Sequence, residues 1–375
     1  MAKSMMRAVG IVPGEREVRL IQHEAPKIAA PTQVKIRSLE VGVCGTDREI
    51  CTFVYGAPPD GFEYLVLGHE SLGEVVEVGS AASRFKPGDL VVPSVRRPCP
   101  HTHCLPCRED KQDFCFTGDF TERGIKMTHG FLTDFYVDEE KYLTYVPPEL
   151  RDVAVLVEPL TVAEKGLAQA WSVQKRLPWI APKTPSGQSG AGKNAVVLGA
   201  GPVGILGAML LIVHGFKTCV YSRSKAPNRK AELVEAIGAK YISSEVENVD
   251  QLAERVGNID LVYEAVGSAK ISYDVLRVLG LNGIYVFTGI PAPKPAIGIE
   301  ADIIMRNLVL KNQAVVGTVN ADRDAFEGAI RDLGIFVKHW PTAVRSLITG
   351  RYKIDRYRDL LLGKADGIKN VIALA

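Results

Sequence analysis

The chain has 375 residues, 46% hydrophobic and 23% charged, with 35 Gly and 22 Pro. At roughly 150 residues per domain that length implies two or three cores, and the composition excludes disorder and collagen. With 45 Lys and Arg against 43 Asp and Glu the net charge is +2, so no global field exists to hold a polyanion and nucleic acid is not an expected partner.

The first ten residues carry basic side chains but no following apolar stretch or small-residue cleavage site. Nothing there suggests export, and the expected location is cytoplasmic. Up to about Gly130 short alternating apolar runs are cut by Gly and Pro: residues 34–36, 73–78, and 90–92 after the turn Lys86-Pro87-Gly88-Asp89. This pattern predicts a β-rich domain. After the Pro, Gly and Ser-rich stretch 178–192 the rhythm becomes strand then helix: strands at 195–198, 218–221, 259–265 and 284–287, helices at 203–215, 229–238 and 271–279. Alternating β and α predicts a doubly wound parallel sheet. The uncharged run 195–213 approaches the roughly 20 residues that span a bilayer, but Gly199, Gly201, Pro202 and Gly204 break it, so it reads as strand, turn and buried helix and no membrane partner is expected. From about Lys311 onward, including a strand-like run at 314–319, the chain either closes that sheet or returns to the first domain.

Gly199-Ala200-Gly201-Pro202-Val203-Gly204 follows a buried strand and opens a helix. The first glycine permits a tight turn, the second lets backbone approach a pyrophosphate, and the third lets helix and strand pack closely. The helix N-terminus then offers N–H groups to phosphate. About 20 residues on, where NAD-specific sites place a carboxylate, the second strand ends Ser222-Arg223-Ser224-Lys225. Two cations and two hydroxyls suit a 2′-phosphate, so NADP is expected, with NAD possible.

Seven cysteines, four of them within residues 99–115, are unlike a secreted disulfide framework. Cys99, Cys104, Cys107 and Cys115 suit a closed tetrahedral structural zinc site that would order a coreless loop. Two alternatives stay open: three of these cysteines with His101 or His103, or four free thiols. Elsewhere Cys44 ends an alternating strand, and His69-Glu70 sits in Gly68-His69-Glu70-x2-Gly73. A thiolate, an imidazole and a carboxylate from separate segments can hold zinc with one position open, as catalysis requires.

Taken together, Cys44, Gly68-His69-Glu70-x2-Gly73-x5-Gly79, the four-cysteine loop and the glycine turn resemble the zinc-dependent medium-chain alcohol dehydrogenases over most of the chain. Val43-Cys44-Gly45-Thr46-Asp47, Asp113-Phe114-Cys115, Glu158-Pro159-Leu160 and Gly317-x2-Asn320 are similar to the glucose (aldose) 1-dehydrogenase branch. The resemblance implies an α/β chain with a GroES-like β-rich catalytic domain, residues 1–188 with segment 312–375 returning to it, and a Rossmann domain, residues 189–311. It implies oxidation of a small-molecule sugar at C1 to a lactone with NADP or NAD. Cys44, His69, Glu70 and Glu158 match the catalytic zinc positions, and Thr46 matches a proton-relaying hydroxyl. Thr46, Glu122, Glu158 and Asn320 match substrate-binding positions, and Asn320 also joins the cofactor-binding set of Gly199, Gly201, Pro202, Val203, Gly204, Ser222, Arg223, Ser224 and Lys225.

A homodimer or homotetramer is implied in the same way. The chain departs from the branch in the longer gap between Cys99 and Cys104, in Val95 where the branch has Asn, and in Leu310 where it has His. Two other readings compete. One is a zinc polyol, threonine or other alcohol dehydrogenase; the other is a non-catalytic NADP-binding protein, which the intact Cys44, His69 and Glu70 argue against.

Overall fold

The computed structural model describes residues 4–178, 189–292, 294–364 and 366–374. It divides into two compact units, one of residues 1–161, 320–337 and 344–375, the other of residues 162–319 and 338–343.

The first unit is built on strand Gln33–Gly42. Its first half alternates, with Val34 and Ile36 inward, whereas its second half is buried on both faces, as a central strand should be. It pairs antiparallel with Glu70–Val78, Phe135–Glu139 and Lys369–Ala373. The core beneath gathers Val9, Val41, Leu65, Leu67, Phe131, Leu132 and Ile372. Two register shifts, between Lys35 and Ile36 and between Ser38 and Glu40, precede the end where Gly42 faces Glu70. Gly42 leaves room there that no other residue could: a Cβ would lie 2.1 Å from Glu70 Oε2.

The second unit holds a six-stranded parallel sheet in the order Lys240–Ser243, Lys217–Ser222, Asn194–Leu198, Leu261–Glu264, Ile284–Phe287, Ala314–Gly317. The uncharged run resolves into strand Asn194–Leu198, the glycine turn and helix Pro202–Val213, whose Ile205, Leu206, Met209 and Leu210 are fully buried. Among the described residues no helix is long and apolar enough to cross a membrane.

The units break at 161/162 and 319/320, whereas the sequence pattern puts the breaks at 188/189 and 311/312. Packing explains both differences. Helix Val157–Gln174 presents Gly166 to the parallel sheet, where an added Cβ would lie 3.3 Å from Tyr263 and 3.4 Å from Val286. The run at 314–319 supplies the sixth strand, in register with Ile284–Phe287. Most of the Pro, Gly and Ser-rich stretch, residues 179–188, lies outside the described residues.

The segment that delivers His69 is braced from one side. Gly130, Phe131 and Leu132 bond along the backbone of Val66, Leu67 and Gly68, and Val66 N–H donates to His129 Nδ1 at 3.2 Å. His129 is boxed by His23, Phe62 and Tyr64. Burial, helped by His23 and Arg123, pushes His129 down to about 4 from its ordinary 6.5. The folded chain therefore binds fewer protons than the unfolded one between pH 6.5 and 4, and stability falls as pH falls through that window. The melting temperature of the wild type should drop across this range more steeply than that of His129→Gln; equal slopes would show that His129 is not held neutral by the fold.

Candidate active site

Cys44 caps the short helix Gly45–Ile50, and the buried Asp47 inside that helix accepts the Cys44 N–H at 2.9 Å. The other Asp47 oxygen lies 3.3 Å from Gly68 N and 3.3 Å from His69 Nδ1. Asp47 thereby ties the two segments that carry Cys44 and His69, and turns His69 so that its other nitrogen is the one on offer. Metal-binding histidines are oriented in this way by a carboxylate behind them. Although burial opposes it, the charge of His69 and the Cys44 N–H hold Asp47 below the ordinary carboxylate range.

The ligand atoms of Cys44, His69 and Glu70 lie within 4.8 Å of one another. Glu70 is also gripped by Lys369, whose Nζ lies 2.7 and 2.6 Å from its two oxygens and donates to Val43 O at 3.3 Å. Both side chains are almost wholly buried. Lys369 stays charged because, against burial, Glu70 and Cys44 raise it. His69 is raised too: burial works against its charge, but Asp47 and Cys44 outweigh it. His69 and Lys369 are both raised by the acidic groups around them, an excess of negative charge that a divalent cation would offset.

Glu158, in the first turn of Val157–Gln174, stands beside this cluster and is not one of its three members. Withdrawal from solvent, opposed by His69 and reinforced by Glu70, pushes its carboxyl up to about 7. Thr46 is half-buried, and its hydroxyl makes no hydrogen bond among the described residues.

The four cysteines of the loop converge: their sulfurs lie within 4.8 Å of one another, and His101 turns away to Asp119. Burial resists the ionisation of Cys104, Cys107 and Cys115. For Cys115 the Thr117 hydroxyl and the Gly118 N–H overcome it and bring the thiol down to about 6. Cys107, with burial and ionised neighbours both against it, is pushed up to about 12. Four thiolates this close cannot all ionise without a cation between them, which is the donor set a closed zinc site needs.

Glu122 is buried, contrary to the solvated carboxylate that a surface loop would give. Its Oε1 accepts from Arg96 Nε at 3.0 Å, Arg96 Nη2 at 2.9 Å and Asn320 Nδ2 at 2.8 Å, while Oε2 takes no hydrogen bond among the described residues. Asn320, at φ +61, steadies itself by accepting the Ala321 N–H.

In the second unit Gly199 has φ +99 and Gly204 has no space for a Cβ, which would lie 2.1 Å from Gly199 O. Nothing lies within 4 Å of a Cβ on Gly201, the residue that caps helix Pro202–Val213, so its face is open to a phosphate. Arg223 and Lys225 are exposed and carry no ion pair among the described residues; Arg223 O and Ser224 O are fixed by Ser243 and Tyr241.

Residues 151–374 match the family described as Glucose dehydrogenase C-terminus, and residues 30–148 match the Alcohol dehydrogenase GroES-like domain. The chain belongs to the glucose 1-dehydrogenase branch of the medium-chain alcohol dehydrogenases. It is 35% identical to a glucose 1-dehydrogenase of Methanocella arvoryzae and 38% identical to one of Thermoproteus tenax, in each case over 98% of this chain and 99% of the relative. Among solved structures it is similar to a glucose dehydrogenase of Haloferax mediterranei in complex with NADP, Zn and gluconolactone, with a TM-score of 0.87 and 29% identity over 99% of each chain. The two units are thus the GroES-like and Rossmann domains of this family.

Within this dehydrogenase, three contributors to the site carry little or no sequence signal. Asp47 is detectable only from its place three residues after the capping Cys44. Arg96 is visible only as one of a pair of arginines, and Lys369, 299 residues from Glu70, has no local signal at all. Because Lys369 compensates a buried carboxylate, Lys369→Met should lower stability by about 3–5 kcal/mol. The double variant Glu70→Leu/Lys369→Met should recover most of that loss in thermal unfolding of the metal-free protein. An unchanged melting temperature for the single variant would mean that the pair carries no such burden.

Proposed function

We propose that this chain oxidises the C1 hydroxyl of an aldose, glucose or a close relative, to the aldonolactone, with NADP as the preferred hydride acceptor. Glu122 supports this reading most: a buried carboxylate with one oxygen fixed by three donors and the other left free is built to accept hydrogen bonds from a polyhydroxylated substrate. The full-length similarity to glucose 1-dehydrogenases supports it independently.

Cys44 and His69, with Glu70 and Glu158 as the acidic positions, would hold the catalytic zinc, and a zinc bound there supplies Lewis acidity that lowers the pKa of the C1 hydroxyl. Thr46, with its hydroxyl uncommitted, accepts the proton and passes it outward. Glu122 and Asn320 fix the ring hydroxyls, and a pocket made of such groups rejects analogues that lack them more strongly than an apolar slot does. Bound NADP supplies the hydride acceptor, C4 of its nicotinamide. Arg223 and Lys225, with Ser222 and Ser224, take its 2′-phosphate, and the glycines from Gly199 to Gly204 with Pro202 and Val203 take the pyrophosphate. Cys99, Cys104, Cys107 and Cys115 hold the structural zinc, and unbridged thiols of this kind fit a reducing cytoplasm.

The proposed assembly is a homodimer or homotetramer joined through the Rossmann sheet edge. Strand Ala314–Gly317 ends the sheet, and near it in sequence helix Ala301–Leu310 exposes Met305, Val309 and Leu310, Val309 being 72% exposed. These side chains supply apolar surface that such a contact would bury. Val309→Asp should shift the species seen by light scattering toward monomer; an unchanged mass would exclude this face.

NADP reduction across D-glucose, D-galactose, D-xylose, sorbitol, threonine and simple alcohols, with and without a zinc chelator, tests the activity. Aldose turnover that the chelator abolishes is expected, with Glu122→Gln raising the sugar KM at least tenfold, about the 1–3 kcal/mol of an unmade buried hydrogen bond. Turnover confined to non-sugar alcohols would overturn the aldose assignment.

A further inference from the structure

Glu264 is the last residue of strand Leu261–Glu264 and is fully buried, with no part in the chemistry described so far. Its Oε1 accepts the N–H groups of Val266 and Gly267 at 2.9 and 2.7 Å, and its Oε2 accepts that of Gly289 at 3.0 Å. One carboxylate therefore joins two loops, those that follow Leu261–Glu264 and Ile284–Phe287. Its own carbonyl strengthens the joint by accepting the Thr288 N–H at 3.1 Å and the Thr288 hydroxyl at 2.6 Å.

The place of this joint in the sheet gives it meaning. Strand order reverses between Asn194–Leu198 and Leu261–Glu264, and a dinucleotide lies across the carboxyl ends of the strands at such a switch point. The glycine turn, which takes the pyrophosphate, ends Asn194–Leu198, and Arg223 and Lys225, at the adenosine ribose, follow Lys217–Ser222. The remaining half, the nicotinamide nucleoside, must run the other way, over the ends of Leu261–Glu264 and Ile284–Phe287. Those are the two loops that Glu264 joins. The first of them also abuts the glycine turn: Ala265 N–H donates to Leu198 O at 3.1 Å, and a Cβ on Gly199 would lie 3.2 Å from Ala265 O.

We infer that Glu264 is the positioning residue for the nicotinamide half of the cofactor, setting the floor on which that half rests without touching the adenosine half. This rests on the dinucleotide reading of the Rossmann domain. A carboxylate is required because only acceptors can meet three N–H groups. In Glu264→Gln the amide nitrogen would face one set of N–H groups, so the carboxamide can satisfy only one loop and must release the other. Gly289→Ala attacks the same joint without altering its charge, since its Cβ would lie 2.2 Å from Gly267 N and 2.9 Å from Glu264 Oε2.

Calorimetric titration with NADP and with adenosine 2′,5′-bisphosphate, which carries only the adenosine half and its 2′-phosphate, separates the possibilities. Both variants should bind NADP about ten- to a hundredfold more weakly, the scale of an unpaired buried donor, and bind the bisphosphate as the wild type does. A merely structural role would weaken both ligands together, and that parallel loss would overturn the assignment, as would NADP affinity unchanged in both variants. If Glu264→Gln does not fold, Gly289→Ala alone distinguishes the same outcomes. Wild-type protein that bound neither ligand would overturn the dinucleotide reading itself, and the assignment with it.

Discussion

The catalytic end of the GroES-like domain depends on one electrostatic constraint: Cys44, Asp47, Glu70 and Glu158 bring acidic groups together where water is scarce, around a single imidazole. Ionised groups leave water only when countercharge replaces it. Lys369 is the countercharge that the chain provides, and the need for it explains a feature of the topology. Strand Lys369–Ala373 lies between Gln33–Gly42 and Ile348–Lys353, so the last strand of the chain enters a sheet begun more than 300 residues earlier, on Gln33–Gly42. Its first residue delivers the ammonium to Glu70. A single lysine does not balance the cluster, and the remaining deficit is what makes the Cys44, His69 and Glu70 set hospitable to a divalent cation.

The four-cysteine loop answers a different shortage. Cys99, Cys104 and Cys107, with Cys115 packed against them, form a cluster of their own that recruits no aliphatic side chain among the described residues. Without an apolar core, the loop is held by polar ties to the residues that would meet the sugar. Arg96, which fixes Glu122, also donates to Asp113 O at 3.1 Å, and Lys111 reaches Asp322 and Asp324 just beyond Asn320. The guanidinium of Arg96 lies 3.7 Å from the centre of the Phe120 ring, which stacks it in place. Order in the loop and order at Glu122 and Asn320 are therefore physically continuous.

What is legible in the sequence follows from how local each feature is. The glycine turn, the four cysteines and Gly68-His69-Glu70 are short motifs whose chemistry is carried by spacing, and the structure brings the residues of each together. The doubly wound rhythm is legible because strand and helix periods alternate cleanly from Asn194 to Phe287. The domain break is misplaced by the sequence pattern because a helix that packs on the sheet, Val157–Gln174, precedes the sheet in sequence, and because the final strand, Ala314–Gly317, is half-exposed and lacks the continuous apolar run of its neighbours. Lys369 is illegible because its meaning exists only once Gly42, Glu70 and the C-terminal strand are paired. Glu122 is ambiguous for the same reason: Arg96 lies 26 residues away and Asn320 lies 198 residues away.

One device recurs at three places in the two domains. Asp47 gathers Cys44 N–H, Gly68 N–H and His69; Glu122 gathers Arg96 and Asn320; Glu264 gathers the N–H groups of Val266, Gly267 and Gly289. In each case a buried carboxylate ties together residues of separate segments, and each does so beside residues assigned to metal, sugar or cofactor. Function needs irregular backbone there, since strands and helices spend their N–H groups on themselves. A carboxylate is suited to that task because its two oxygens accept from several directions and offer no donor that could compete. Its burial is costly if any of those bonds is missing, so the loops it joins must hold one arrangement. The same penalty that makes buried acids rare in a core makes them effective staples for loops, and in this chain it holds each of three junctions in one arrangement.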